Sequence, residues 1–255
     1  MTTATASDYT LPTLGGRHHF LLRRLHSLTG LVFGGYLIVH LLVNATIAQL
    51  GSVYQVQVNK IHDLPLLWAL EWGLIYLPIL YHTVYGVWIV ATGQPNVGNY
   101  PYTKNWFYLL QRISAIIIVL FMLFHVFSLK YGLFGVNLSF DPHAASYTVH
   151  RHMTATGATW LIVGLIYPLG IIASCYHLAN GFWTAAITWG LTISAEAQRR
   201  WGYVCAGLFA ITLIFGLTAL VAAVAMNPPP PGAPVTTVGA GVGAGVGAGG
   251  VPAAH

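Results

Sequence analysis

Five long apolar stretches, separated by shorter polar segments, dominate the chain. They cover approximately residues 28–48, 66–91, 111–133, 156–180 and 202–225. A helix that crosses a bilayer needs about 20 predominantly apolar residues, and each stretch has roughly that length. No alternation of apolar and polar positions competes with this pattern, so we expect no strands. The pattern predicts an all-α integral membrane protein with five transmembrane helices.

The remaining segments are short or have a biased composition. We interpret residues 1–27 as a cytoplasmic N-terminal segment without a cleavable signal peptide, because no short apolar core precedes a small-residue cleavage site. Residues 28–225 form one transmembrane domain in this interpretation. Residues 181–200 become too polar for a sixth span and are expected to form an interfacial element. Residues 226–255, with four prolines followed by Gly-Val-Gly-Ala repeats, are expected to be a disordered tail.

The charge content supports a membrane location. Only 6% of the residues are charged and 56% are hydrophobic, whereas about 25% are charged in soluble domains. The basic residues lie mostly at the ends of spans, so we expect no nucleic-acid partner. Seven of the ten would be cytoplasmic if the N-terminus is inside, which predicts that the N-terminus is cytoplasmic and the C-terminus outside. With this orientation the protein is expected in a bacterial cytoplasmic membrane, in contact with lipid.

Four of the apolar stretches each contain a histidine: His40, His82, His125 and His177. Because a helix rises 1.5 Å per residue, the first and third of these would lie roughly 12 Å below the outer surface. His82 would lie roughly 14 Å from the cytoplasmic surface, and His177 lies toward the same side. Counting residues therefore predicts two levels, an outer pair of His40 with His125 and an inner pair of His82 with His177.

Two imidazoles from different helices are what the two axial positions of a haem iron require. The sequence has no Cys-x-x-Cys-His motif, so the haems would be of the b type. Metal binding without haem and a proton relay are the alternatives. Glycines in the same spans would give a porphyrin room, or would serve ordinary helix packing; they are Gly30, Gly34, Gly35, Gly86 and Gly181. The other eight histidines are weaker candidates, and several of them, including His152, are expected in outer loops.

Several motifs together resemble the cytochrome b membrane anchors of succinate:quinone oxidoreductases, in the fused, five-helix, di-haem form. They span residues of about 20–200 and are Arg23-Arg-Leu-His-Ser-Leu-Thr-Gly30, His82-x-x-x-Gly86, Gln111-Arg-Ile-Ser114 leading to His125, and His177-Leu-Ala-Asn-Gly-Phe-Trp183 with Ile187-Thr-Trp-Gly190. The resemblance implies two haem b groups, ligated distally by His40 and His125 and proximally by His82 and His177. It also implies a flavoprotein and an iron–sulfur partner, with quinone (menaquinone or ubiquinone) as the electron acceptor.

One position departs from the pattern of some di-haem members of this family. They carry an acidic residue two positions before the proximal ligand of the fourth span, as part of a transmembrane proton path. Cys175 occupies that position here, and its thiol cannot replace the acidic group in such a proton path. Other functions stay open from the sequence: the cytochrome b subunit of a fumarate reductase, hydrogenase or formate dehydrogenase, or a haem-binding membrane protein that is not part of an enzyme.

Four further polar residues are candidates for cofactor or substrate contacts. Arg24 and Arg112 are candidate partners of haem propionates through charge-assisted hydrogen bonds, or simple positive-inside anchors. Ser27 at the inner side and Glu71 near the outer end of the second span are candidate quinone contacts, with an interfacial position as the alternative for Glu71. We favour the inner site. No residue is assigned as catalytic, since succinate oxidation would occur on the partner subunits.

Overall fold

The computed structural model describes residues 15–134, 138–154, 157 and 159–231, with the backbone alone for 15–17. Throughout these residues the regular secondary structure is helical, so the predicted fold class is confirmed. The α-helices are Gly15–Ala45, Gly51–His62, Leu67–Leu70, Leu77–Thr92, Thr103–Tyr131, Ala145–Thr154, Thr159–Leu161, Tyr167–Thr188 and Ala195–Ala225. Most of the predicted tail lies outside the described residues.

Five helical spans are long and apolar enough to cross a membrane, as the hydrophobic pattern predicts. They are, in order, His18–Ala48, Leu67–Thr92, Thr103–Tyr131, Thr159–Thr188 and Ala195–Ala225. They extend beyond the apolar stretches, because a helix keeps its backbone hydrogen bonds when it continues into the polar interface. The expected interfacial element at 181–200 is accordingly short: residues 181–188 finish the fourth span and 195–200 begin the fifth.

The second and fourth spans each contain one π-helical turn, at Glu71–Tyr76 and Ile162–Ile166. A proline follows each turn as the second residue of the next α-helix, at Pro78 and Pro168. Proline has no N–H and its ring crowds the carbonyl four residues earlier, which here lies within the π turn. The wider turn relieves this conflict, and in each span it precedes the segment that carries the histidine.

The ends of the spans are fixed by local sequence. Gly132 ends the third span in the left-handed conformation, φ 63°, and its N–H bonds to the carbonyl of Phe127, as in a glycine C-cap. Ser194 begins the fifth span, with its hydroxyl accepting the N–H of Ala197 at 3.1 Å, which satisfies one of the free donors at a helix start.

Two short helices, Gly51–His62 and Ala145–Thr154, pack together, and Ala145–Thr154 also packs against the fifth span. We call them the cap. The Ser146 hydroxyl donates to the carbonyl of Gly51 at 2.6 Å, and the His150 Nδ1 bonds to the carbonyl of Ala223 at 3.0 Å. The cap covers the end of the bundle where the first, third and fifth spans finish. We call this the cap end, and the opposite one the N-terminal end.

The main buried cluster runs from the cap into the space between the fourth and fifth spans. The first span packs against the second, fourth and fifth, and the third packs against the fourth. Many large apolar side chains of the second and third spans are exposed instead, including Trp72, Leu80, Val84, Ile116 and Leu120. Such a surface suits lipid rather than water, and it leaves the facing sides of the spans to hold polar groups.

Candidate functional site

The four span histidines meet as two pairs. At the cap end, His40 of the first span and His125 of the third have ring centroids 6.0 Å apart and planes at 87°. At the N-terminal end, His82 of the second span and His177 of the fourth have centroids 6.1 Å apart, also at 87°. The structure thus brings together the same residues that counting along the helices groups by depth. We call these the cap-end pair and the N-terminal-end pair.

The separation within each pair fits one shared metal atom. Imidazole nitrogens bind metal ions at about 2.0–2.1 Å, so two imidazoles on opposite sides of one ion have ring centroids roughly 6 Å apart. Each pair contributes two nitrogen ligands from two different helices. Two protein ligands are the number that a porphyrin iron accepts. Within the described residues no group of three or more His, Cys, Asp and Glu side chains is arranged to hold a metal ion.

Hydrogen bonds determine the tautomers of the N-terminal-end pair. The Nδ1 of His82 lies 3.0 Å from the carbonyl of His26, and the Nδ1 of His177 lies 3.3 Å from the carbonyl of Gln111 and 3.2 Å from Ser114 Oγ. A carbonyl oxygen only accepts, so both Nδ1 atoms carry the proton. Both Nε2 atoms therefore keep a lone pair. Metal-binding histidines show this arrangement, in which the second ring nitrogen donates to a carbonyl.

The cap-end pair has different partners. The Nδ1 of His125 lies 3.2 Å from the hydroxyl of Tyr167, which leaves its Nε2 for a ligand. The Asn44 amide lies 3.5 Å from both ring nitrogens of His40, at the limit of a hydrogen bond, and donates more closely to the His40 carbonyl at 2.7 Å. Each ring nitrogen of His40 therefore has at most a weak hydrogen bond to Asn44.

Two glycines of the first span allow close approach to the second and fourth spans, which carry the N-terminal-end pair. A Cβ added at Gly30 would lie 2.5 Å from the His82 ring, and one at Gly34 would lie 2.8 Å from Leu178, next to His177. Gly86 is also tight, since its Cβ would lie 3.2 Å from the ring of His26. An added Cβ at Gly35 would meet nothing within 4 Å. Gly30 therefore faces the site, Gly34 faces Leu178 and Phe182 of the fourth span, and Gly35 faces away from other side chains.

Two of the predicted polar residues lie together at the N-terminal end, around Trp189. The Trp189 indole N–H donates to Ser27 Oγ at 3.0 Å. The guanidinium carbon of Arg24 lies 4.8 Å from the centre of a Trp189 ring and 5.0 Å from that of Phe20. Trp189 lies in the Ile187–Gly190 motif, but nothing in the sequence pairs it with Ser27.

Arg112 lies at the same end, against the second span. Its terminal nitrogen Nη2 donates to the Ile89 carbonyl at 3.3 Å, and its guanidinium stacks 3.6 Å above the Tyr108 ring. Its Nε is buried and has no hydrogen-bond partner among the described residues. A Cβ at Gly93 would overlap the guanidinium, so that glycine makes the space in which Arg112 lies.

Glu71 lies far from this group, because it begins the π turn near the cap end of the second span. It is partly buried. Tyr76, at the end of the same turn, accepts a hydrogen bond from Lys130 at 3.0 Å. The structure does not bring Glu71 together with Ser27 or Arg24. The two candidate quinone contacts therefore belong to opposite ends of the bundle.

Three residues near the pairs were not predicted as site residues. The ring of His26 stacks on His82 at 4.0 Å, with planes at 10°; its place in the Arg23–Gly30 motif was the one available signal. Tyr167 contacts His125 and His152 contacts Tyr167, and the expectation of an outer loop around His152 is wrong. His152 lies in the cap helix Ala145–Thr154 and is completely buried, because that helix is amphipathic and docks its apolar face on the bundle.

Comparison with known proteins adds to this geometry. No family model matches the chain. The chain is 35% identical over 211 residues to the succinate dehydrogenase cytochrome b558 subunit of Bacillus subtilis (strain 168), an alignment that covers 82% of this chain and 99% of that subunit. The chain belongs to the succinate dehydrogenase cytochrome b family. The resemblance predicted from its motifs is therefore confirmed, and so is its membrane character.

Cys175 gains a structural role in this family member. It is completely buried in the fourth span. The thiol packs within the main buried cluster, two residues before His177. Its position is that of a small packing residue between two spans, in agreement with the absence of an acidic group there.

Proposed function

We propose that this chain is the di-haem b membrane anchor of a succinate dehydrogenase, and that it passes electrons from a flavoprotein and an iron–sulfur partner to quinone. One observation carries the proposal: in a chain of this family, two pairs of histidines have their ring centroids 6.0 and 6.1 Å apart. His82 and His177 would hold the haem nearer the N-terminal end, and His40 and His125 would hold the second haem.

The residues around each pair suit this role. When bound, haem b supplies an iron that takes up and releases one electron at a time. The carbonyls of His26 and Gln111 hold the Nδ1–H of His82 and His177, which orients both rings and leaves Nε2 for the iron. Gly30 allows the first span to lie against His82, and Gly34 allows it to lie against Leu178 of the fourth span. All four histidines are only partly exposed, and the apolar surface around them would face lipid rather than water.

The propionates of the haem at the N-terminal end would lie near Arg112. Its Nε is a buried donor without a partner in the described residues, and a carboxylate would supply one. Arg24 is the second candidate, although its guanidinium lies between Trp189 and Phe20. Positive-inside anchoring accounts for neither the buried Nε nor the space at Gly93.

Quinone would be reduced at the N-terminal end, beside Ser27. The Ser27 hydroxyl accepts the Trp189 N–H, so its own proton is free to donate to a quinone carbonyl. Trp189 and Arg24 provide an aromatic face and a positive charge next to it. Glu71 at the cap end is the alternative contact, and a site there would receive electrons only after both haems.

The orientation follows from the basic residues. Seven of ten lie at the N-terminal end, so this end would face the cytoplasm and the C-terminus would lie outside. The two partner subunits would dock on that cytoplasmic face of a bacterial membrane. Electrons from succinate would then meet the His82–His177 haem first.

Purification of the intact complex tests the proposal. A dithionite-minus-air spectrum with quantitative haem analysis should give two b-type, low-spin haems per chain, and succinate should reduce haem in the complex. A ratio of one haem per chain, or a high-spin spectrum at rest, would contradict the di-haem assignment. Haem that only hydrogen or formate reduces would place the chain with a different electron donor.

A further inference from the structure

A continuous chain of hydrogen bonds leads from the cap-end pair into the cap. The Tyr167 hydroxyl lies 3.2 Å from the Nδ1 of His125 and 3.2 Å from the Nε2 of His152. Tyr167 is 5% exposed and His152 is 0% exposed. Three side chains from the third span, the fourth span and the cap therefore meet in the interior of the protein, and none of these contacts follows from the helix pattern alone.

Aromatic rings pack around these hydrogen-bonded side chains and fix their positions. Phe121 stacks on the His125 ring with centroids 5.5 Å apart and packs edge-on against Tyr167 at 5.4 Å. A Cβ at Gly170 would overlap Phe121, so this glycine admits the ring. Phe124 contacts Tyr167 from a further side at 6.2 Å. Tyr167 follows directly after the π turn of the fourth span, and π turns occur frequently at functional sites.

The direction of the hydrogen bonds follows if His125 binds iron through Nε2. A neutral imidazole that binds through Nε2 carries its proton on Nδ1. The His125 Nδ1–H then donates to the Tyr167 oxygen, and the Tyr167 O–H donates to the Nε2 of His152. Burial lowers the pKa of His152 to about 4, so its ring is neutral at pH 7 and has one lone pair to accept with. Its Nδ1–H is left buried without a partner among the described residues.

We propose that Tyr167 and His152 are positioning residues for His125: Tyr167 accepts the His125 Nδ1–H, and His152 orients the Tyr167 hydroxyl for this task. The proposal rests on the proposed function, in which His125 ligates the cap-end haem. A ligand histidine that donates its second N–H becomes a stronger electron donor to its metal. We call the two hydrogen bonds from His125 to Tyr167 and from Tyr167 to His152 the relay. The relay therefore stabilises the oxidised iron and lowers the reduction potential of this haem relative to one whose ligand lacks such a partner.

His152 explains why Tyr167 accepts rather than donates. An isolated tyrosine hydroxyl beside an imidazole can donate or accept. With His152 taking its proton, the Tyr167 oxygen presents only lone pairs to His125. The cap thereby contributes directly to the haem site, although it lies outside the five spans. In contrast, the N-terminal-end pair uses backbone carbonyls for the same purpose, and these need no such second residue.

Redox titration of the purified complex, followed at each haem, tests the relay. The variants are Tyr167→Phe, His152→Leu and His152→Gln, and Tyr36→Phe is the matched control, since its ring lies 5.7 Å from His40 and its hydroxyl bonds to no described histidine. We expect Tyr167→Phe to raise the midpoint potential of the cap-end haem by about 59 mV. For one electron this corresponds to a roughly tenfold change in the reduction equilibrium. The other haem should keep its midpoint.

The His152 variants distinguish the relay from simple loss of packing. His152→Leu should raise the midpoint potential of the same haem by a smaller amount and should change its low-spin electron paramagnetic resonance signal. His152→Gln should keep the midpoint potential and the signal of the unaltered protein, because its amide oxygen can accept the hydrogen bond from Tyr167. Loss of this haem alone in Tyr167→Phe, with both haems kept in Tyr36→Phe, also supports the relay. Two bound haems with unchanged midpoints in Tyr167→Phe would overturn it, as would equal shifts at both haems.

Failure of the ligand assignment gives a different result. His125→Ala should remove the cap-end haem. If the His125→Ala complex retains both haems, His125 is not a haem ligand and the proposed function is wrong on this point, whatever the Tyr167 variants show. If His125→Ala loses one haem and Tyr167→Phe has no effect on its midpoint, only the relay is wrong.

Discussion

His82 and His177 approach each other at 6.1 Å with perpendicular rings, and His40 and His125 repeat this geometry at 6.0 Å with the same 87° between planes. The repetition is informative because the four residues lie on four different spans. Ordinary packing of polar side chains between helices would not reproduce one distance and one angle at two depths. The proposed haem ligation would account for both, and each pair should then act as a unit.

The first prediction concerns that pairing. His40→Ala and His125→Ala should each remove the same haem, and His82→Ala and His177→Ala should each remove the other. Loss of either histidine would leave the proposed haem with a single protein ligand. Haem-to-protein ratios and low-temperature spectra of the four variant complexes give the measurement. If the two members of one pair abolish different spectral components, the assignment of pairs is incorrect.

The second prediction uses two glycines of the first span. Gly30→Ala would bring a methyl group to 2.5 Å from the His82 ring, and overpacking of this kind typically costs about 1–3 kcal/mol. We expect the N-terminal-end haem to be lost or weakly held, with a changed low-spin signal, while the cap-end haem is retained. The two haem signals of the variant complex report this directly.

Gly35→Ala is the matched control for that experiment. It makes the same chemical change five residues further along the same helix, where the new methyl group meets nothing within 4 Å. It should therefore retain both haems. Equal loss of haem in the two variants would show that the first span needs glycine for another reason, such as its own packing in the membrane.

The pairs illustrate what the sequence can and cannot predict. His40 and His125 can be matched from the sequence because a helix rises uniformly, so depth follows from counting residues within an apolar stretch. Tyr167 and His152 cannot, since His152 belongs to a short polar helix whose docking depends on the cap. Ser27 and Trp189 are 162 residues apart, and only packing of the first span on the fourth brings them together.

The third prediction concerns the tail. Residues 232–255 lie outside the described residues, and the segment consists largely of Gly, Ala, Val and Pro. A sequence of this composition buries no core of its own. Deletion of residues 228–255 should therefore leave haem content and succinate:quinone activity near those of the full chain. Loss of assembly after this truncation would reveal that the tail contacts a partner subunit.

The last prediction addresses where quinone is reduced. Ser27 accepts the indole N–H of Trp189 and keeps its own proton to donate, with the positive charge of Arg24 beside the same indole. Removing one hydrogen bond to a bound polar group costs about 1–3 kcal/mol, and each 1.4 kcal/mol is about a factor of ten. Ser27→Ala should therefore lower quinone reduction about tenfold, while succinate still reduces both haems.

Glu71→Gln is the counterpart at the cap end, and it should have little effect on quinone reduction. The two variants separate the sites because Glu71 and Ser27 lie at opposite ends of the bundle. Electrons that enter at the N-terminal end reach a site beside Ser27 without passing through the cap-end haem, so His40→Ala should also retain much of the activity. The reverse pattern, with Glu71→Gln inactive and Ser27→Ala unaffected, would move quinone reduction to the cap end and make both haems obligatory carriers.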